Sequence, residues 1–317
     1  MKKTMSSLLL AGALAFGVSV SAQSAEFINV LTGGTSGVYY PLGVALSQIY
    51  GKAIPGSKTA VQATKASAEN LNLLQAGRGE IAISLGDSLS DAWKGNEEAG
   101  FKAPLKKLRT VATLYPNYIH FVATADSGIK SLADIKGKRI SVGAPKSGTE
   151  LNVREILKAA GISYKDFSKV EYLSYAESVE LMKNKQLDVT LLSSGLGVAA
   201  LRDLAVSQKV NFLTIPADIV AKINDPAFIV GVIPAKTYEG QNVDVTTVSV
   251  FNYLVTHEGV STDTVYTMTK SMFENLDQMT AAHSAAKAIR KENAAKAPPA
   301  PLHPGAEKYY REVGLIK

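Results

Sequence analysis

The chain has 317 residues, 46% of them hydrophobic and 20% charged, with a formal net charge of +6 and no cysteine. That length and composition argue for a globular protein of two ordinary domains or one large one, able to bury a sizeable core. The missing cysteines exclude disulfides, thiolate metal sites and cysteine nucleophiles, and without a dense Lys/Arg run interleaved with aromatics the mild basicity does not point to nucleic acid.

Residues 1–25 read as a secretory signal peptide. Lys2 and Lys3 form a positive region, 8–20 an apolar one too short to stay in a bilayer, and small residues follow in Val20-Ser21-Ala22-Gln23-Ser24-Ala25. Cleavage after Ala22 or Ala25 takes the charge from +6 to +4 by removing the two lysines. With no cysteine to carry a lipid, the mature protein is expected to be soluble and periplasmic.

An apolar strand over 27–31 then enters Thr32-Gly33-Gly34-Thr35-Ser36-Gly37, and Val38, Leu42, Ala45, Leu46 and Ile49 recur at helical spacing beyond it. Glycine lets the backbone approach a ligand closely, and a helix starting there aims unpaired N–H groups at an anion. A strand around 60–61 is followed by a loop into helix from Lys65-Ala66-Ser67 to Gly77, a strand over 81–85 and a helix over 86–93. Two strands are predicted end to end, 108–114 and 119–124. The turn-like Tyr115-Pro116-Asn117-Tyr118 between them is the expected hinge.

Ser131 and Asp134 have capping-box spacing, a strand covers 139–142, and Gly143-Ala144-Pro145-Lys146-Ser147-Gly148-Thr149-Glu150 leads into a helix ending at Gly161. This repeats the opening arrangement of strand, glycine and hydroxyl loop, and amphipathic helix. A helix over 174–184 with a Ser174/Glu177 box, a strand over 187–192, a helix over 197–207 and a strand over 211–215 continue the alternation, which predicts α/β layers with largely parallel sheets. A strand over 247–255, a helix over 261–275, an extended proline-rich run to Pro304 and a last helix over 305–313 complete the chain.

Catalytic signatures are missing. The second loop imitates a P-loop, but Thr149 stands where the lysine is needed; the first has the wrong glycine spacing for a dinucleotide; Gly-x-Ser-x-Gly does not occur. The four histidines show no metal-ligand spacing. His120, in an apolar strand, reads better as a buried hydrogen-bonded residue than as a catalyst. The residues offer binding chemistry, with no enzyme activity, cofactor or metal expected.

Gly33-Gly34-Thr35-Ser36-Gly37-Val38-Tyr39-Tyr40-Pro41-Leu42-Gly43, Ser67-Ala68-Glu69-Asn70-Leu71, Ser141-Val142-Gly143-Ala144-Pro145 with Ser147-Gly148-Thr149-Glu150, Phe273-Glu274-Asn275-Leu276 and Pro301-Leu302-His303-Pro304-Gly305-Ala306 with Tyr309-Tyr310 occur in that order. By these motifs the chain resembles the TAXI group of TRAP-transporter solute-binding proteins along nearly its whole mature length. The resemblance implies a periplasmic-binding-protein fold, type II-like: lobe 1 from 26–115 with 247–317, lobe 2 from 116–246, and the ligand cleft between them. It implies a permease partner driven by an ion gradient and ligands such as glutamate, 2-oxoglutarate or 2-hydroxyglutarate; a monomer is expected. Lys65 and Lys146 depart from the family pattern, and each either pairs with a ligand carboxylate or points into solvent.

The expected ligand-binding set is Gly34, Thr35, Ser36, Tyr39, Lys65, Ser67, Tyr115, Lys146, Ser147, Gly148 and Thr149. One carboxylate would meet hydroxyls and N–H groups around Thr35, Ser36 and Ser67, and the second loop would close over it from Ser147 to Thr149. Tyr39 and Tyr115 either wall the cleft or pack. A ligand sensor of a signalling complex and a periplasmic enzyme on the same fold are the competing classes.

Overall fold

A computed structural model describes residues 26–317; the signal peptide expected over 1–25 lies outside the described residues. The chain runs β1 (Phe27–Leu31), α1 (Tyr39–Ala53), β2 (Lys58–Gln62), α2 (Ser67–Gln75), β3 (Ile81–Leu85), α3 (Gly86–Lys94) and β4 (Leu108–Thr124). It continues through β5 (Arg139–Ser141), α4 (Gly148–Ala159), β6 (Lys169–Glu171), α5 (Tyr175–Lys183), β7 (Val189–Ser194), α6 (Ala199–Ser207), β8 (Val210–Leu213), α7 (Ala217–Ile223) and β9 (Ile229–Ile233). β10 (Val245–His257), α8 (Thr262–Glu274), α9 (Leu276–Ala282) and α10 (Pro304–Glu312) close the order.

The helices follow their apolar stripes and caps. α1 buries Leu42, Leu46, Ile49 and Tyr50, and Pro41 sits in its first turn, where a missing N–H has no helical partner to lose. α4 buries Val153, Ile156 and Leu157 and begins at a Ser147 cap that accepts from the Glu150 N–H. α5 carries the expected Ser174/Glu177 box in full. Ser131 and Asp134 also form their box, over one short 3-10 turn.

The strands form one ten-stranded sheet of order β2-β1-β3-β10-β4-β7-β5-β6, with β8 on β4 and β9 on β10. It is mixed rather than largely parallel: β1 pairs β2 and β3 in parallel and β5 pairs β6 and β7 in parallel, whereas every ladder of β4 and β10 is antiparallel. Short helical crossovers give the parallel pairs. The two long strands are the exception, because each carries the chain from one half of the sheet to the other.

The two strands expected over 108–114 and 119–124 are one 17-residue strand, and Tyr115-Pro116-Asn117-Tyr118 is not a turn. Tyrosine is strand-prone. Proline costs the ladder one donor, and the register with β10 shifts beside it, between Phe251 and Tyr253, so the defect is absorbed as an irregularity. β10 also pairs β3 through Asn252–Thr256 and β9 through Val245–Ser249, while β4 pairs β7 and β8 beyond Tyr118. The β4–β10 ladder thus joins β1, β2 and β3 on one side to β5 through β8 on the other.

One core packs α1, α8 and α10 through Leu46, Tyr50, Met268, Met272 and Tyr310; another packs α4 on β5 and β7 through Val153, Ile156, Ile140 and Leu191. The proline-rich run is more deeply seated than a surface strap. Thr110 N–H donates to Pro301 O at 2.8 Å, His303 N–H donates to Thr110 O at 2.9 Å, and Ala300 is buried. His120 is fully buried with Nε2 2.9 Å from the Tyr238 hydroxyl, and burial lowers its pKa to about 4.

Candidate functional site

The end of β1, the end of β3 and the end of β7 open onto one cavity of about 240 Å³, at the carboxyl edge of strands, where open α/β sheets place ligands. Four helices start at its wall: α1 after Gly33-Gly34-Thr35-Ser36-Gly37-Val38, α2 after Thr64-Lys65-Ala66, α4 after Ala144-Pro145-Lys146-Ser147, and α5 after Tyr172-Leu173-Ser174. Leu85, Asn117, Ser193 and Ser194 form the floor. Lys65 and Glu177, both solvent-exposed, are the ionisable Lys and Glu of the lining, which holds no histidine, aspartate or arginine.

The four helix starts are not equivalent. Neither α1 nor α2 has a side-chain cap; their N-cap positions are Val38 and Ala66. α4 and α5 are capped by their own Ser147 and Ser174. Ala66 holds φ +71 and ψ −143, a conformation costly for a residue with a β-carbon. It turns the chain so that Ser67, 1% exposed, starts α2 at the cavity. Ser67 Oγ accepts from the Leu85 N–H at 3.1 Å, and its hydroxyl proton is left for the neighbouring Tyr39 oxygen or for a ligand.

Behind the wall a hydrogen-bonded chain crosses both long strands. The Tyr39 hydroxyl donates to Asn252 Oδ1 at 2.5 Å; Asn252 Nδ2 donates to Asn117 Oδ1 at 2.7 Å; Asn117 Nδ2 donates to Ser193 O at 2.8 Å. Tyr175 donates to the same Ser193 O at 2.7 Å and lies 2.7 Å from Thr149 Oγ1, so the Thr149 hydroxyl donates to Tyr175. Burial raises the pKa of Tyr39 strongly and that of Tyr175 to about 12, so both stay protonated as donors. The ring of Tyr39 walls the cavity while its hydroxyl serves this chain.

The two halves touch at the cavity. A β-carbon on Gly148 would lie 2.7 Å from Ser67 Oγ and 2.7 Å from Leu85 Cδ1. Glycine is required there for that approach. Asn152 Nδ2 of α4 also donates to Asp87 Oδ2 of α3 at 2.6 Å.

Of the expected ligand set, Gly34, Ser36, Tyr39, Lys65, Ser67, Ser147, Gly148 and Thr149 line the cavity together. Thr35, Tyr115 and Lys146 do not. Thr35 is exposed on the outer turn of its loop. Tyr115 is fully buried in the core, with its carbonyl accepting from Asn252. Lys146 is exposed at φ +61, one residue before the α4 cap. Sequence reasoning missed Asn117, Tyr175, Ser193 and Ser194. The Ser174/Glu177 box was a usable signal for Tyr175, since it marked another helix start beside a strand end.

Among the solved structures, the chain is similar to PhnD1 from Prochlorococcus marinus in complex with methylphosphonate, with a TM-score of 0.58 and 13% identity over 92% of this chain and 99% of that one. It is similar to the alkanesulfonate-binding protein SsuA from Xanthomonas axonopodis pv. citri bound to MOPS, at 0.51 and 13% over 92% and 85%. An ancestral arginine-binding protein bound to arginine follows at 0.50 and 14% over 83% and 99%. The shared architecture is the periplasmic-binding-protein fold, which is the α/β class expected. The chain belongs to the NMT1-like family, which it matches over residues 30–314. Among the described residues no helix is long and apolar enough to cross a membrane.

Proposed function

We propose that this chain is a periplasmic solute-binding protein that captures a small carboxylate in the cavity and hands it to a membrane permease. The observation that carries the reading is the pair of uncapped helix starts, α1 and α2, facing a cavity with hydroxyl donors and no buried countercharge. The first N–H groups of a helix lack intrahelical partners, and a carboxylate supplies them.

On this reading residues 26–115 with 247–317 form one lobe and 116–246 the other, and β4 and β10 bend to open and close the cleft. A ligand contacted from both sides favours the closed form. Ser36 and Ser67 hold one carboxylate with the first N–H groups of α1 and α2, the Tyr39 ring walls it, and Ser147, Gly148 and Thr149 close over it. Lys65 at the rim selects a second carboxylate, so a C4 or C5 diacid is preferred. Glu177 Oε2 accepts from the Ser174 N–H and hydroxyl and Oε1 is left for a ligand ammonium, which favours L-glutamate over 2-oxoglutarate or 2-hydroxyglutarate. The permease is of the TRAP type, as the motif resemblance implies.

A thermal-shift screen tests the ligand class. L-glutamate and related diacids should raise the melting temperature. If sugars, sulfonates or monoacids do so and no diacid does, the assignment is wrong.

A further inference from the structure

Asp87 is an acid with half of its hydrogen bonding missing. It lies in the first turn of α3, 4% exposed, and its Oδ2 accepts from Asn152 Nδ2 at 2.6 Å. Asn152, on α4 across the contact, is fully buried. Asp87 Oδ1 and Asn152 Oδ1 are both buried without a well-formed hydrogen bond, the Ser88 and Asp87 backbone N–H groups reaching the Asp87 carboxylate only weakly. Buried acceptors left without donors are costly, and here two of them belong to one bonded pair.

We propose that Asp87 takes up a proton when the two halves meet and closes an acid–amide ring with Asn152, which latches the closed form. In such a ring the amide N–H donates to one carboxyl oxygen and the carboxyl O–H donates to the amide oxygen. A single proton therefore supplies both missing donors.

The surroundings act in the same direction. Asp87 lines one end of a polar cavity that also holds Asp91 of α3, Glu98 beyond it, Arg154, Glu155 and Lys158 of α4, and Asp225 after α7. Arg154 is engaged by Glu150 at 2.6 Å, and Asp91 accepts from Asn96 at 2.9 Å. Burial raises the Asp87 pKa most, the Ser88 N–H opposes it, and the Asp91 and Asp225 carboxylates add to the rise, which leaves it at about 7. With the halves apart, water reaches Asp87 and its pKa returns toward the ordinary value of about 4.

The sign follows from linkage. Between pH ~4 and ~7 the closed form holds a proton the open form lacks, so closure is increasingly favoured as pH falls through that window; the gain is complete below pH ~4 and lost above pH ~7. The inference rests on closure as set out under the proposed function.

Calorimetric titration with L-glutamate, in two buffers of different ionisation enthalpy, tests it on wild type and Asp87→Asn. L-glutamate keeps its own charges over this range. Wild type should take up about 0.9 proton on binding at pH 6 and about 0.1 at pH 8, and bind about tenfold more tightly at pH 6. Asp87→Asn preserves the ring as an amide pair without a titrating group. It should take up no proton and bind equally tightly at pH 6 and pH 8, at both at least as tightly as wild type does at pH 6. Wild-type binding that is flat from pH 6 to 8 with no proton uptake overturns the latch and leaves the carboxylate reading standing. If L-glutamate does not bind at all, that reading is what fails. The latch is then decided by the closed fraction of ligand-free protein, read from the distance between spin labels on the two halves: a closed-to-open ratio about tenfold higher at pH 6 than at pH 8 in wild type, with no such change in Asp87→Asn, supports it, and an unchanged ratio in wild type overturns it.

Discussion

The two loops that face each other across the cavity are built from similar sequence and do different work. The first, Gly33 to Val38, leads into α1 with no side-chain cap, and the neighbouring start of α2 has none either. The second, Gly143 to Ser147, delivers a serine that caps α4, while Thr149 is tied to Tyr175. One side leaves its helix starts without a side-chain cap; the other commits the Glu150 N–H to Ser147 and the Thr149 hydroxyl to Tyr175. A strand–glycine loop–helix unit is therefore not by itself an anion site. What separates the two is whether the chain supplies its own cap.

The sharpest way to break that comparison is to force the sides apart. Gly148→Ala places a methyl group against Ser67 and Leu85, a clash of roughly 2 kcal/mol that opening relieves. Affinity for L-glutamate should fall about 30-fold while the melting temperature of ligand-free protein changes little. Unchanged affinity would mean the halves do not close as described.

Paired serine deletions come next. Ser67→Ala removes a hydroxyl that donates to a charged ligand, worth about 1.5 kcal/mol, so binding should weaken about tenfold, and the Leu85 N–H left without its acceptor should lower stability by about 1 kcal/mol as well. Ser147→Ala removes a helix cap worth about 1 kcal/mol, so denaturant or thermal unfolding should register it more than binding does. A reversal of the two outcomes would exchange the roles of the sides.

Smaller effects are expected at Ala66 and at the lysines. Ala66→Gly relaxes a strained backbone and should raise stability by about 1 kcal/mol, read from the unfolding midpoint. Lys65→Ala should weaken L-glutamate by about threefold, the scale of an exposed ion pair, and a monoacid by less. Lys146→Ala should leave both unchanged, because its side chain lies outside the cavity.

Much of this was legible in local patterns. Apolar periodicity located α1, α4 and α8, and the Ser174/Glu177 box located α5, because each rests on neighbours within a few residues. Pairing partners were not. Nothing near Pro116 announces that Phe251, far along the chain, will sit opposite it and continue the strand. The mixed sheet was misjudged for the same reason: direction is a property of two distant segments. Helix α7 and strand β9 are short and weakly patterned, and they take their shape from packing on β10. In the site, glycines and hydroxyls in loops could be read directly. Which hydroxyls were already committed, such as that of Thr149 to Tyr175, depends on contacts across the fold. Tyr115 and Asn117 show the limit well: the right segment was singled out, and burial sent the tyrosine to the core while Asn117 reached the cavity.

The most direct test is a crystal structure of the protein with L-glutamate. One carboxylate should lie within hydrogen-bond distance of Ser67 Oγ and the first N–H groups of α1 or α2. A ligand seated instead on the α4 start, with α1 and α2 left uncontacted, would contradict the division of labour between the two sides.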